Sequence, residues 1–205
     1  MPRPRPQLIT GKLEKLHPTQ VTIGLAEVSL KRASWQKLKR KERQAALDNH
    51  WFPCVLGPDG RHYIVDHHHF GLALLEEEVK TVSLMLLKDL SFVTKDTFWT
   101  VMEFHQWAHP YDADGVRCAY ADIPRRITQL KDDPYRSLAG QLRRCGGFAK
   151  DVTPFSEFLW ADFFRNRVGP EAIKVQAPGF EAKLLKLASS QEARYLPGWA
   201  GQILG

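Results

Sequence analysis

The sequence predicts an α+β protein, in which a small mixed sheet with its helices precedes a helical C-terminal part. Two patterns in the first half favour strands: apolar runs flank the turn sequence Gly-Pro-Asp-Gly at 57–60, and residues 82–90 form a short apolar segment. In the second half, the predicted helices are 123–130, 134–145, 154–167 and 177–190. We therefore expect a core over residues 8–120 and a helical C-terminal subdomain over residues 121–205 that packs on it.

The segment 51–75 predicts a β-hairpin that leads into a helix. Two apolar runs joined by a four-residue turn give the hairpin pattern. Asp66 then takes the N-cap position, and the helix opens with His67, His68 and His69. A helix N-terminus offers free N–H groups and the positive end of the dipole, so this corner is suited to a phosphate. The alternative is a structural corner, since an N-cap Asp stabilises a helix by about 1 kcal/mol without any ligand.

The three histidines predict the chemistry of neutral imidazole rings. Because the helix dipole opposes a positive charge at this end, we expect low imidazole pKa values and uncharged rings at neutral pH. Neutral imidazoles can bind a metal ion, act as general bases or hydrogen-bond a phosphate. Successive helical residues point about 100° apart, so at most two of the rings can serve one site.

A basic segment precedes the hairpin. Ser34 predicts the N-cap of a helix over residues 34–50, and the exposed face of that helix is strongly basic. The basic residues are Lys37, Lys39, Arg40, Lys41 and Arg43. Such a run is typical of a solvated helix face and also of a nucleic-acid contact, and the sequence leaves both open.

Composition limits the class of protein. A net charge of +6 is typical of a protein that binds anionic ligands and equally of a basic surface without such a ligand, and a hydrophobic content of 43% excludes disorder of the chain as a whole. Three cysteines without C-x-x-C spacing favour neither a disulfide framework nor a thiolate zinc site, and predict a reducing, cytoplasmic location. No apolar run approaches the roughly 18 residues of a membrane span. The alternating Pro and Arg of residues 1–6 predict extended backbone rather than a signal peptide, and removal of a signal stays open.

Two further groups have a chemical and a structural interpretation. His105 and His109 are spaced i, i+4 on a helix predicted to start near residue 97, the spacing of paired metal ligands, although aromatic neighbours favour packing. Asp162 lies on an apolar helix face, where it either needs a partner such as Arg165 or points into a cleft. The sequence contains neither G-x-G-x-x-G nor a Walker lysine, so a P-loop or dinucleotide fold is not predicted.

The segments 53–60 and 63–69, the second ending in Asp-His-His-His, resemble the core box of the ParB/sulfiredoxin superfamily, and most closely its ParB-like nuclease subfamily. The resemblance extends to the segments 17–20, 23–24, 133–140, 146–150 and 154–164. In the superfamily a D-G-H-H-R, G-E-R-R or G-G-C-H-R corner at a helix N-terminus binds nucleotide phosphates. His67 stands here in place of the Gly, His68 in place of the sulfiredoxin Cys and Phe70 in place of the Arg. Thiol chemistry is therefore not expected, and neither is centromere-type DNA binding, because no helix-turn-helix domain is evident after the box.

The resemblance implies a small mixed sheet and an enzyme that acts on a phosphate-containing ligand, either a nuclease or a nucleotide-dependent phosphotransferase or hydrolase. We expect Asp66 to orient a histidine or a divalent ion, and His68 and His69 to contact phosphate or to act as base and acid. The predicted nucleotide-binding residues are His17, Thr19, Gln20, Lys31 and His67. The predicted cofactor is a nucleotide (ATP, ADP or CTP) with Mg²⁺ or Mn²⁺, and the predicted partner is a nucleotide or nucleic acid rather than a membrane.

Two alternatives come from the residues alone. The first is a non-catalytic nucleic-acid or protein-binding module that uses the basic helix at 34–50. The second is a metal-storing or metal-sensing protein that uses His105 and His109.

Overall fold

The computed structural model describes residues 7–201, which form six strands and eight helices besides short 3-10 turns. The strands are β1 (Gln7–Lys12), β2 (Thr22–Ile23), β3 (Phe52–Gly57), β4 (Arg61–Ile64), β5 (Thr81–Asp89) and β6 (Lys131–Asp132). The helices are α1 (Leu25–Gln36), α2 (Arg40–Asn49), α3 (His68–Glu76), α4 (Lys95–Phe104), α5 (Pro134–Arg144), α6 (Ser156–Arg165), α7 (Pro170–Val175) and α8 (Phe180–Ala188). The extended backbone predicted for residues 1–6 lies outside the described residues.

The main sheet is mixed and has four strands in the order β1-β5-β3-β4. Its β1/β5 and β3/β4 pairs are antiparallel, whereas β3 and β5 are parallel. The register pairs Gly57 with Arg61, so the predicted hairpin is confirmed, but its loop is the three residues Pro58–Gly60 rather than four. A separate parallel pair joins β2 to β6. The predicted α+β class, with a small mixed sheet and helices, is confirmed.

Three hydrophobic clusters hold these elements together. In the first, α1 and α3 pack on the main sheet around the fully buried Phe52 and Leu84. The second lies under α4 and contains Phe98, and the third joins α5, α6 and α8 around Trp160 and Phe164. The C-terminal helices thus have a cluster of their own, but β6 pairs with β2 in the first part of the chain. The boundary at residue 120 stays a prediction.

The prediction of one helix over residues 34–50 is wrong, because the chain forms two helices there. Ser34 belongs to α1, and its hydroxyl donates a hydrogen bond to the Leu30 carbonyl over 2.9 Å instead of capping a new helix. The N-cap of α2 is Lys39, whose backbone N–H donates to the Glu42 carboxylate over 2.6 Å. Side-chain hydrogen bonds that close the turn between two helices therefore decided the break.

Other predicted helices differ in extent. Residues 123–130 contain only the 3-10 turn Ile127–Gln129 before β6, and α1 and α7 were not predicted. Helix α4 ends at Phe104, so His105 and His109 do not share a helix face, and the paired-ligand geometry expected for them is wrong. Within residues 7–201, every helix is too short or too polar to cross a bilayer.

Candidate functional site

A cleft of about 1060 Å³ opens in front of the start of α3. Its walls come from α1, α2, α3, α5 and the segment 148–158 that leads into α6. Of the residues predicted to act in catalysis or binding, the cleft is lined by Gln20, Lys31, Asp66, His67, His68 and His69. The contact between α1 and α3 and the β3–β4 hairpin together place residues 66–69 in this cleft.

The start of α3 differs by one residue from the prediction. The N-cap is His67, not Asp66, and its backbone is left-handed, with φ 65° and ψ 21°. The Asp66 carboxylate accepts a hydrogen bond from the His67 N–H over 2.6 Å. Asp66 therefore stabilises the corner from one position earlier, and the helix begins at His68.

His68 and His69 are fixed as neutral hydrogen-bond acceptors. Nε2 of His68 accepts from the Thr19 N–H, and Nε2 of His69 accepts from the Gly24 N–H, each over 3.3 Å. Burial lowers the pKa of His68 to about 3, and burial together with the charge of Arg136 lowers the pKa of His69 well below its usual value. An acceptor Nε2 in a neutral ring places the proton on Nδ1. Neither Nε2 is free to take a proton from a ligand.

His67 has a different environment. Its ring lies edge-on to two others, with ring centroids 5.9 Å from His50 and 5.7 Å from Phe52. Within the described part of the chain, its ring nitrogens receive or donate no hydrogen bond. Burial lowers the pKa of His67, and the negative charge of Asp66 partly offsets this effect. His67 is thus a neutral imidazole at pH 7 whose nitrogens are not bound by the protein.

Arg136 on α5 lines the cleft and was not among the predicted site residues. Its side chain is buried, with 5% exposure, and its guanidinium lies 3.6 Å from the centroid of the Phe158 ring. Nη2 lies 3.7 Å from the Glu157 carboxylate, and Nε has no hydrogen-bond partner among residues 7–201. Burial lowers the pKa of Arg136, while the charge of Glu157 opposes that shift. The only signal in the sequence was its place in the segment 133–140 that carries the family resemblance.

An ion-pair network fixes the start of α5 and so the position of Arg136. Asp133 caps α5 through the Tyr135 N–H over 2.9 Å and accepts from Arg165 Nη2 over 2.6 Å. Arg165 also pairs with Asp162, which confirms the partner expected for that carboxylate. Asp162 is not a residue of the cleft wall.

Only some of the remaining charges of the cleft are paired. Arg144 forms an ion pair with Glu27, and Arg143 Nη1 lies 2.8 Å from Glu157. Lys31 and Lys150 also line the cleft and form no ion pair with any described residue. Asp66 and Asp151 line the cleft as well, and within residues 7–201 they form no ion pair either. Five basic and four acidic side chains line the cleft in all, so basic residues outnumber acidic ones by one.

Three residues predicted to bind nucleotide have contacts within the protein. The Thr19 hydroxyl donates to the Ile64 carbonyl over 2.9 Å, and Gln20 Nε2 donates to the Thr22 carbonyl over 2.7 Å. The His17 ring lies 5.1 Å from that of Tyr63, outside the cleft wall. Among these, Gln20 alone reaches the cleft, and the ligand contacts of all three stay predictions.

No group of three or more His, Cys, Asp or Glu side chains within residues 7–201 is arranged to hold a metal ion. Glu27 and Glu157 of the cleft are paired with arginines, and Asp66 accepts the His67 N–H. The predicted Mg²⁺ or Mn²⁺ stays a prediction.

Comparison with known proteins gives a consistent family assignment. Residues 9–166, which include the start of α3 and Arg136, match the model of a family described as "Putative ParB-like nuclease". The crystal structure of protein Atu1540 from Agrobacterium tumefaciens is similar, with a TM-score of 0.88 and 44% sequence identity over 96% of this chain and 100% of that chain. No curated protein matches the chain significantly.

Proposed function

Because the chain belongs to the ParB-like nuclease family, we propose that it binds the phosphodiester backbone of a nucleic acid in the cleft at the start of α3 and hydrolyses it. The observation that carries the proposal is the buried guanidinium of Arg136, whose Nε has no partner among the described residues. Removing a cation from water costs several kcal/mol, which a partner anion has to offset. Glu157 at 3.7 Å offsets this cost only in part. A phosphate in the cleft would complete the set of partners.

His69 supports the same ligand. Since its Nε2 accepts the Gly24 N–H, the nitrogen left for a ligand is Nδ1, which carries the proton of the neutral ring. His69 therefore offers a phosphate oxygen a hydrogen-bond donor and does not act as a base. The free N–H groups of the first turn of α3 add donors and the positive end of the helix dipole.

His68 and Asp66 act on the site indirectly in this proposal. His68 holds the backbone of Thr19, and Asp66 holds the backbone of His67. Together they hold Thr19 against the start of α3 and fix the backbone of His67, which keeps the N-terminal end of α3 rigid.

Lys31 and Lys150 favour a polymer over a small anion. Both lie on the cleft wall without an ion pair within residues 7–201, so each can neutralise a phosphate next to the one at Arg136. Mononucleotides such as ATP, ADP or CTP carry the same phosphate chemistry, and their Mg²⁺ or Mn²⁺ complexes are the forms in which we expect them to bind.

Binding of a fluorescent single-stranded oligonucleotide, measured by anisotropy, tests the proposal. Arg136→Met removes the charge and should weaken binding by about 10- to 100-fold, the range of a lost charged hydrogen bond. Arg167→Met is the matched control, because its guanidinium lies 4.0 Å from the Phe163 ring outside the cleft. Equal affinities of Arg136→Met and the wild-type protein would contradict the proposal.

A second candidate is a non-catalytic nucleic-acid-binding module. Lys37, Lys39, Arg40 and Lys41 are exposed at the turn into α2, whereas Arg43 donates hydrogen bonds to the Leu38 and Gln36 carbonyls. Binding that falls steeply with salt, together with no cleavage in any divalent metal ion, would favour this function.

A further inference from the structure

We propose that His67 is the general base of the cleft and takes the proton of the water that attacks the phosphodiester. The inference rests on the proposed nuclease function and assigns its proton transfer to one imidazole. Three features of His67 carry it: a strained backbone, uncommitted ring nitrogens and a fixed ring orientation.

The backbone of His67 is in a region that favours glycine. Its φ of 65° is left-handed, and a β-carbon makes this conformation unfavourable for a histidine. Strained backbone is frequent at functional sites, and Gln106 and Phe155 of the same cleft also have a positive φ, so the ring of His67 has to distinguish it.

The ring nitrogens distinguish His67 from its two neighbours. His68 and His69 each accept a backbone N–H at Nε2, whereas the His67 ring has no hydrogen bond with any residue from 7 to 201. His67 also lines the cleft that contains the buried, incompletely partnered guanidinium of Arg136. Of the three imidazoles, His67 therefore has the nitrogen that can meet a water beside a bound phosphate.

Burial lowers the pKa of His67 and so keeps its ring neutral. His50, Lys31 and Lys150 act in the same direction, whereas the negative charge of Asp66 favours the protonated ring. The edge-on contacts with His50 and Phe52 hold the ring plane. As the proton arrives, the carboxylate of Asp66 stabilises the imidazolium that forms.

The proposed step consumes one water. The water oxygen forms a bond to phosphorus while a ring nitrogen of His67 takes one of its protons, and the bond from phosphorus to the leaving sugar oxygen breaks. The leaving oxygen takes a proton from solvent, and His67 returns its proton to solvent. The products are a phosphate monoester and a free hydroxyl.

Replacing His67 by glycine separates this role from a structural one. His67→Gly relieves the left-handed backbone but removes the ring contacts with His50 and Phe52, so its Tm should stay within about 2–4 °C of the wild-type value. Its kcat/KM for cleavage of a single-stranded oligonucleotide should fall by about 100-fold or more, the usual contribution of a general base. Its Kd for the same oligonucleotide should change less than that of Arg136→Met.

Glu78→Gly is the matched control, because Glu78 has a φ of 58° just beyond the other end of α3, is exposed and lies outside the cleft. Its Tm should lie in the same range, and it should keep full activity. Full cleavage by His67→Gly would overturn the role of His67 and leave the nuclease proposal intact. Binding without any cleavage by the wild-type protein would overturn the role of His67 and the hydrolytic part of the proposal, and no binding at all would overturn both proposals.

Discussion

The backbone N–H of Thr19 donates a hydrogen bond to Nε2 of His68 over 3.3 Å, although the two residues lie 49 positions apart in the sequence. His69 makes the equivalent bond to the N–H of Gly24. Two neighbouring imidazoles thus hold the segment that leads from β1 to α1 against the start of α3. His68 and His69, which the sequence predicted as base and acid, thus accept hydrogen bonds from the backbone. The ring of His67, the residue before them, forms no hydrogen bond within residues 7–201.

The first prediction concerns the stability that His68 provides. His68→Ala leaves the Thr19 N–H without its acceptor and creates a cavity, because His68 is only 4% exposed. We expect the free energy of unfolding to fall by about 2–4 kcal/mol in urea denaturation. His62→Ala, at a partly exposed position of β4, is the comparison and should cost less. Equal losses would show that the bond to Thr19 contributes little.

The second prediction concerns the dependence of stability on pH. Burial holds the pKa of His68 and of His109 at about 3, against about 6.5 in the unfolded chain. Between about pH 3 and pH 6.5 the unfolded state therefore binds more protons than the folded state. The free energy of unfolding falls as the pH is lowered through this range. Each histidine should contribute a slope of about 1.4 kcal/mol per pH unit within that window.

The comparison of wild-type protein with His68→Gln isolates one of these slopes. Urea unfolding is measured between about pH 7 and pH 5, roughly the range in which histidines titrate. The slope of the unfolding free energy against pH should be smaller for His68→Gln by about 1.4 kcal/mol per pH unit, which corresponds to one proton. Identical slopes would mean that His68 binds its proton as readily in the folded protein as in the unfolded chain.

The third prediction concerns the ion pair that fixes α5. Arg165→Met removes the partner of Asp133, which is 1% exposed, and should cost about 3–5 kcal/mol of unfolding free energy. Adding Asp133→Asn should recover part of this loss, since an amide oxygen can still accept the Tyr135 N–H without a buried charge. Lys174→Met breaks the exposed pair with Glu171 and should cost less than about 1 kcal/mol. If Arg165→Met lost as little unfolding free energy as Lys174→Met, the ion pair with Asp133 would not be what stabilises the start of α5.

The fourth prediction concerns the phosphates next to the one at Arg136. Lys150→Gln should lower the slope of log Kd against log salt for an oligonucleotide by about 0.7 to 0.9, the contribution of one phosphate contact. Lys183→Gln, on an exposed position of α8 outside the cleft, should leave the slope unchanged. Equal slopes for the two variants would place the polymer elsewhere on the surface.

The sequence by itself determined the local elements of this protein. The hairpin follows from two apolar runs around a Gly-Pro-Asp-Gly turn, and α5 follows from an Asp-Pro start and its apolar spacing. Both signals lie within one element and its immediate flanks, where turn chemistry, capping and periodicity act. The break between α1 and α2 was missed because the basic residues on both sides favour a helix and the decisive contacts are side-chain hydrogen bonds.

Only the tertiary structure decided which polar groups are free to meet a ligand. The acceptors that His68 and His69 offer are occupied by N–H groups 49 and 45 residues away in the chain, and Arg136 reaches the same cleft from α5. Periodicity carries no information about such distant pairs, because it records only which face of an element is buried. The assignment of chemistry among three consecutive histidines therefore depended on packing, which leaves His67 with its nitrogens open and its backbone left-handed.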